Sequence, residues 1–175
     1  MTVTFTLFFY YSFVGFLIEL AYARLTHGPK QDRKCLLFLP LCPVYGLGAC
    51  LILAMPPFLL HRPVAVFVGG ALLATLAEYA VALFYDVAVG VRFWDYSDRP
   101  GNLSGRVCPL YTLFWGVLAL ALVYVLQPLS APLLAHVPGW LTGLGFLLFA
   151  ADGLVSLWLL HRARDTAVLM WYRAG

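Results

Sequence analysis

Residues Arg92 to Cys108 read R-F-W-D-Y-S-D-R-P-G-N-L-S-G-R-V-C, a polar stretch in a chain that is 63% hydrophobic. The stretch holds three of the eleven lysines and arginines and two of the eight aspartates and glutamates. Long apolar runs flank it on both sides. A solvated connection between two membrane helices is one interpretation. The density of Trp, Tyr, Asn, Gly and paired charges exceeds what a simple tether requires, so we favour a structured loop that closes or gates a polar site.

The composition of the whole chain is that of a membrane protein. Only 11% of the 175 residues are charged, whereas a soluble domain carries about 25%. The mean hydropathy is +0.89. Runs of about 20 apolar residues recur, and each is long enough to cross about 30 Å of hydrocarbon as a helix. We therefore predict an all-α integral membrane protein that contacts the lipid bilayer, a single domain over residues 1–175 with a bundle of about five transmembrane helices.

The predicted spans follow the apolar runs. They cover about residues 3–23, 44–60, 64–89, 110–126 and 140–160, with a polar loop at 92–108 and a cytoplasmic tail at 161–175. A proline-rich loop with Pro128, Pro132 and Pro138 is expected between the fourth and fifth spans. The first span lacks the positive start and the small-residue cleavage site of a signal peptide, so we expect it to be retained.

The second apolar run is interrupted near its start. Residues 39–48 read L-P-L-C-P-V-Y-G-L-G, with two prolines and two glycines in close succession. Proline removes a backbone donor and clashes with the preceding turn, which argues against a regular helix here. Such backbone is tolerated at membrane depth only where it is buried in protein or lines a wet cavity. We expect a broken or re-entrant second span, with a simple kinked helix as the alternative.

The basic residues predict the orientation of the five spans. Ten of the eleven lysines and arginines fall on the side that holds the first loop, the polar loop and the tail, and Arg62 alone falls on the other. The positive-inside rule then places the N-terminus outside and the C-terminus in the cytoplasm.

Acidic residues within the spans point to a polar site. Glu19 and Glu78 are costly inside a membrane unless they face protein, water or a partner, and both fall in the cytoplasmic half of their spans. The interrupted run and the polar loop approach from the same side. The candidate residues of a polar or substrate cavity are Glu19, Tyr45, Glu78, Asp86, Asp95 and Arg106. The alternative is that Glu19 and Glu78 pair with arginines of the loop only to hold the bundle together.

The polar loop contributes a second set of candidates, for gating or docking: Trp94, Tyr96, Ser97 and Asn102. No metal site is predicted, because the four cysteines form no C-x-x-C pair and the four histidines are scattered. No cofactor is predicted. Nucleic acid is not an expected partner, since each loop carries only the few basic residues that membrane orientation requires.

Several short motifs together resemble a known family. They are Y-S-F-x-G-x-x-x-E at 11–19, P-x-x-P-V-Y-G-x-G at 40–48, E-Y at 78–79, W-D-Y-S at 94–97, N-x-x-G-R-V-C at 102–108 and W-G at 115–116. In this order they are similar to the bacterial membrane proteins labelled putative ABC-transporter type IV, or CmpB-type permeases. The resemblance covers about residues 8–116. Leu39, Asp86 and Thr112 depart from it, and Asp152 lies outside it.

The resemblance implies a permease-like protein of the bacterial cytoplasmic (inner) membrane. It implies a separate ATPase partner, which the absence of a G-x-x-x-x-G-K-[ST] phosphate loop also requires if ATP drives transport; a homo-oligomer is the other expected partner. It assigns no substrate and no catalytic residue.

Three functions are consistent with the sequence. The first is a transport subunit with a polar site in the cytoplasmic half of the membrane. The second is an assembly, sensor or scaffold protein that uses the polar loop as a docking surface. The third is a membrane enzyme that acts on a lipid head group, with carboxyl groups as acid and base and Arg106 on the phosphate. No recognised catalytic motif supports the third.

Overall fold

The structure is a computed structural model that describes residues 2–26 and 35–170. Over these ranges it is all-helical, and the only extended pairing described is an isolated bridge between Leu103 and Val107. Among the described residues, four helical stretches are long and apolar enough to span a membrane: Val3–Leu25, Pro63–Val89, Pro109–Ala135 and Gly139–Ala163. The predicted helical membrane bundle is confirmed. Three basic residues of the first loop, Lys30, Arg33 and Lys34, and Arg173 of the tail lie outside the described residues.

The helices, in chain order, are α1 Thr2–Leu25, α2 Pro43–Leu53, α3 Pro57–Leu60, α4 Pro63–Phe84, α5 Pro109–Ala121, α6 Gln127–Ala135 and α7 Gly139–Ala163. A π-helical turn, Tyr85–Val89, continues α4, and a second one, Leu122–Leu126, joins α5 to α6. A 3-10 helix, Thr166–Leu169, follows α7.

The second crossing is broken, as the sequence predicts. Its helix α2 has only 11 residues, about 16 Å of helix, roughly half the hydrocarbon thickness. Residues 35–42, which lead into it, are not helical, and Cys35, Leu36, Leu37 and Cys42 among them are buried. The backbone N–H of Cys42 donates to the carbonyl of Ser12, in the middle of α1, over 2.9 Å. The chain therefore reaches the centre of the bundle as non-helical backbone and continues as helix.

Asp152 of α7 supplies hydrogen bonds that this non-helical backbone lacks. Its carboxylate accepts the backbone N–H groups of Leu37 (3.1 Å), Phe38 (3.0 Å) and Leu39 (2.7 Å). One turn further along α7, the hydroxyl of Ser156 accepts from the Leu37 N–H at 2.9 Å and donates to Asp152 at 3.1 Å. Backbone groups that water cannot reach need such partners. Asp152 inside the last span therefore has a structural role, because it accepts the hydrogen bonds of this non-helical backbone.

Two glycines allow α1 and α2 to approach closely. A Cβ atom on Gly15 would overlap the side chain of Tyr45, and one on Gly46 would overlap the hydroxyl of Ser12 and the carbonyl of Phe8. Small residues permit such close contacts between membrane helices. The result is that Tyr45 lies directly against α1.

The predicted end of the fourth span is wrong. The sequence places a proline-rich loop after residue 126, but the helix continues through α6 to Ala135, with Pro128 and Pro132 inside it. The π-helical turn at Leu122–Leu126 precedes Pro128. Pro128 thus follows a π-helical turn and lies in the first turn of α6, where its missing N–H breaks no bond within α6. Pro138 does lie in the connection, directly before α7.

The polar loop connects α4 to α5 at one end of the bundle, which we call the loop end. There the Arg164 guanidinium, just after α7, donates to the carbonyl of Val89 at 2.9 Å, and the hydroxyl groups of Tyr22 and Tyr111 are 3.0 Å apart. The outer surface of the bundle is apolar, with Leu72, Leu147 and Leu154 each at least 63% exposed. This surface is suited to lipid.

Candidate functional site

A cavity of about 310 Å³ lies between α1, α2, α4, α5 and the polar loop. Two carboxylates and five aromatic side chains that carry a polar atom line it: Glu19, Glu78, Tyr22, Tyr45, Tyr96, Tyr111 and Trp115. The remaining lining residues are apolar. Within residues 2–26 and 35–170, no Lys, Arg or His lines this cavity. Its character is therefore acidic and aromatic.

Glu78 forms the buried wall of the cavity. It lies in α4 with 4% of its surface exposed. One carboxylate oxygen accepts the hydroxyl of Tyr96 at 3.1 Å, and the other accepts the indole N–H of Trp115 at 2.9 Å. These donors come from the polar loop and from α5, so Glu78 joins three segments. Both donors are neutral.

Glu19 and Tyr45 bring α1 and α2 into the same site. The hydroxyl of Tyr45 donates to a carboxylate oxygen of Glu19 at 2.8 Å. The Tyr45 ring lies 4.9 Å from the Trp115 ring, centre to centre, at an angle of 57°. Gly15, one turn before Glu19, provides the space that the Tyr45 ring occupies. The two carboxylates are thus linked through Tyr45 and Trp115.

Aromatic rings form the side of the cavity towards the polar loop. Tyr96 stacks on Tyr111, with ring centres 4.5 Å apart and planes at 20°. Tyr111 also contacts Phe114 edge-to-face at 5.6 Å. Tyr22, Phe114 and Val117 are exposed on the outer surface and line the cavity at the same time. The cavity therefore opens sideways between α1 and α5, at the level of the apolar surface.

Asp86 and Arg106 belong to a separate ion cluster. Asp86 accepts two hydrogen bonds from Arg92, at 3.1 and 3.0 Å, and one from Arg106 at 2.5 Å. The guanidinium of Arg106 lies over the Tyr79 ring, 5.7 Å from its centre. The hydrogen bonds to Asp86 raise the pKa of Arg92 above its usual range. These residues tie the polar loop to the end of α4, and none of them lines the 310 Å³ cavity.

Asp95 stabilises a turn within the polar loop. It accepts the backbone N–H of Ser97 at 2.9 Å and the Ser97 hydroxyl at 2.5 Å. These bonds, more than the nearby guanidinium of Arg92, lower the pKa of Asp95. A Cβ atom on Gly105, whose φ is +69°, would come within 2.6 Å of Asp95. The turn thus requires glycine at this position.

Trp94 and Asn102 also hold the polar loop together. The indole N–H of Trp94 donates to the carbonyl of Arg106 at 2.9 Å. The amide of Asn102 donates to the carbonyl of Arg99 at 2.8 Å and accepts the N–H of Gly105 at 2.9 Å. The loop is structured, as we favoured from its composition.

The structure brings together Glu19, Tyr45 and Glu78 from the predicted cavity set, and adds Tyr96 from the predicted loop set. It places Asp86, Asp95 and Arg106 away from this cavity, in the loop and at its base. Tyr22, Tyr111 and Trp115 also line the cavity but are not among the predicted site residues. Tyr22 is three residues after Glu19 and shares its helical face, and Trp115 belongs to the W-G motif.

Comparison with known families agrees with this architecture. The family model described as "Putative ABC-transporter type IV" matches residues 6–157. The chain belongs to this family. The match includes every described residue that lines the cavity, and it extends past the short motifs at 11–116 to Asp152 and Ser156. No curated protein and no solved structure is significantly similar to the chain. The family and the four apolar helices identify a multi-pass, transporter-like membrane protein.

Proposed function

We propose that the chain is a permease-like transport subunit, which binds its substrate in the cavity between Glu19, Tyr45 and Glu78. The observation that carries the proposal is Glu78, a carboxylate buried within a membrane-spanning helix at the wall of a cavity. Ionisable residues at membrane depth are costly and commonly mark substrate or ion pathways. Non-helical backbone that enters the bundle beside such a site is a feature of transporters.

The transport subunit works with another chain, either a separate ATPase or a second copy. The chain has no phosphate-binding loop of its own. We place the loop end of the bundle, and with it the C-terminus, in the cytoplasm of a bacterial inner membrane, because of the distribution of basic residues. In this orientation the polar loop faces the cytoplasm, and Tyr96 connects it to the cavity.

The two alternatives have less support from the geometry. An enzyme that binds a lipid phosphate through Arg106 needs this arginine beside the acidic groups, but Arg106 is paired with Asp86 and lies over Tyr79. A docking surface needs outward-facing anchors, whereas Trp94 and Asn102 bond within the loop. The location of these side chains favours transport over both.

The test begins with purification of the tagged chain from its native membrane in mild detergent, with mass spectrometry of the proteins that accompany it. A stoichiometric ATPase is expected. Inside-out and right-side-out vesicles, each with ATP on the cytoplasmic side, are then supplied with a panel of labelled small solutes, and uptake is compared between the wild type, Glu19→Gln and Glu78→Gln. Asp98→Asn is the matched control, because Asp98 is 76% exposed on the polar loop and its Arg99 contact is 3.8 Å long.

We expect uptake by the wild type and by Asp98→Asn, and its loss in Glu78→Gln. Full uptake by both glutamate variants would exclude the cavity as the substrate site. A chain that purifies without any partner and supports no uptake of any solute would exclude the transport function itself.

A further inference from the structure

We propose that the cavity binds a monovalent organic cation, with an ammonium head between the aromatic rings and Glu78 and with apolar substituents at the side opening between α1 and α5. This inference names the substrate class of the proposed transport site and rests on that proposal for its physiological role. The binding itself does not require transport.

The buried carboxylate of Glu78 favours a cation in the cavity. Its two described hydrogen-bond donors, Tyr96 and Trp115, are neutral, and no described basic side chain lines the cavity. A carboxylate attracts a cation strongly in surroundings of low dielectric, and it repels an anion equally. A bound cation would offset the cost of this buried charge.

The aromatic surface favours an organic head group. A cation over the face of Trp or Tyr, within about 6 Å of the ring centre, is attracted by the ring, and ammonium groups with several carbon substituents are recognised in aromatic cages of this kind. Four such rings line the cavity as two contacting pairs, Tyr45 with Trp115 at 4.9 Å between ring centres and Tyr96 with Tyr111 at 4.5 Å. Such rings can surround a methylated nitrogen without competing hydrogen bonds.

The side chains that line the cavity are less suited to a metal ion than to an organic cation. Calcium takes about six to eight oxygen ligands, and magnesium requires a near-octahedral set. Here Tyr45 bonds to Glu19, and Tyr96 and Trp115 occupy both oxygens of Glu78. No group of three or more His, Cys, Asp or Glu suited to a metal occurs in the described part of the chain. The acidic groups thus supply charge rather than a coordination shell.

The side opening of the cavity between α1 and α5 indicates that the rest of the ligand is apolar. The cavity volume of about 310 Å³ is at the lower end of small-molecule sites, which begin at about 300 Å³. Its outer edge is formed by Tyr22, Phe114 and Val117, which are exposed at the level of the apolar surface. Apolar substituents of the cation can lie there while the charged nitrogen lies near Glu78. A small ammonium compound with an aryl or alkyl group has this shape.

The experiment measures binding to the full-length protein, purified in mild detergent, by isothermal titration calorimetry and by quenching of Trp fluorescence. The ligand is benzyltrimethylammonium. Neopentylbenzene, in which carbon replaces the charged nitrogen, is the neutral comparison, and benzenesulfonate is the anionic one. We expect saturable binding of the cation, with at least about tenfold weaker binding of either comparison compound.

Two sets of variants locate the site. Glu78→Gln is expected to weaken cation binding by at least about tenfold, while the exposed Asp98→Asn leaves it unchanged. Tyr22→Leu at the opening removes a ring and the hydrogen bond between Tyr22 and Tyr111 without touching Glu78. It is expected to bind the cation several-fold more weakly than Tyr22→Phe, which loses the same hydrogen bond and keeps the ring, by about the strength of one exposed cation–π contact. Its control is Phe13→Leu, an exposed aromatic on α1 that does not line the cavity. Size-exclusion profiles and thermal unfolding establish that each variant is folded.

The outcomes separate the inference from the transport function. Equal binding of neopentylbenzene, no saturable binding by the folded wild type, or unchanged binding in both folded Glu78→Gln and Tyr22→Leu would overturn the cation site. If the cation binds but vesicles do not move it, the site stands and the transport function fails. If the vesicles move a neutral or anionic solute and the cation does not bind, the transport function stands and the cation site fails.

Discussion

The indole N–H of Trp115 donates to the buried carboxylate of Glu78 over 2.9 Å, and this bond joins α5 to α4 inside the bundle. The Trp115 ring also contacts the Tyr45 ring, whose hydroxyl donates to Glu19, so Trp115 and Tyr45 together connect the two acidic residues of the cavity. Trp115 therefore serves the packing of the bundle and the shape of the cavity.

Replacement of Trp115 by Phe should destabilise the protein by about 1–3 kcal/mol, because it leaves a buried carboxylate without one of its donors while an aromatic ring remains. Thermal unfolding of the purified protein in detergent measures the effect. Trp140→Phe is the control, because Trp140 is 71% exposed on the surface of the bundle. Equal shifts in both variants would show that the bond to Glu78 contributes nothing specific.

Replacement of Asp152 by Leu should prevent correct folding or destabilise the protein by more than about 3 kcal/mol. The backbone N–H groups of Phe38 and Leu39 lose the carboxylate that accepts them at membrane depth, and the Leu37 N–H loses one of its two described acceptors. Ser156→Ala, which removes one accepting hydroxyl, should cost about 1 kcal/mol. The loss of stability in Asp152→Asn should lie between those of the other two variants, because the asparagine side chain keeps one acceptor oxygen. The yield of monodisperse protein and the unfolding temperature provide the ranking. A stable Asp152→Leu protein would contradict the structural role of this carboxylate.

Replacement of Gly15 by Ala should separate α1 from α2, because the added methyl group overlaps Tyr45. The expected cost is about 1–3 kcal/mol of stability, with weaker binding of any ligand in the cavity that Tyr45 lines. Gly143→Ala and Gly153→Ala are matched controls, because nothing lies within 4 Å of a Cβ atom at either position in α7. Both controls should be neutral or stabilising by up to about 1 kcal/mol, from helix propensity. A Gly15→Ala protein as stable as the controls would refute the close contact.

The proposed orientation predicts the labelling of single introduced cysteines. Arg62→Cys should react with a membrane-impermeant maleimide in intact cells, because we place it outside. Asp98→Cys, on the polar loop, should react only after the cells are permeabilised. The unmodified chain gives the background of its four native cysteines, of which Cys35, Cys42 and Cys108 are buried. The reverse pattern would place the loop end outside.

Some side-chain contacts could not be read from sequence. Asp152 is recognisable as an unusual residue in a span, but its partners are backbone groups of residues 37–39, more than 110 positions away. Arg106 and Asp86 lie near the same end of the bundle as Glu19 and Glu78. Their predicted depth in the membrane therefore could not show that they lie outside the cavity. Their different surroundings depend on the path of the polar loop, in which Asn102 and Gly105 set the turn. The extension of α5 into α6 through Pro128 depends on a π-helical turn, for which the sequence carries no clear signal.

Composition and hydropathy were sufficient to establish a helical membrane bundle, because the hydrocarbon thickness sets the length of an apolar helix and every backbone group inside it must be bonded. The two prolines and two glycines at 40–48 were sufficient to predict the break in the second crossing. Only the tertiary structure decided which polar side chains share a cavity. Proximity between Glu78, Trp115 and Tyr96 arises from how α4, α5 and the polar loop pack, and side-chain contacts over such sequence separations are set by packing rather than by local pattern.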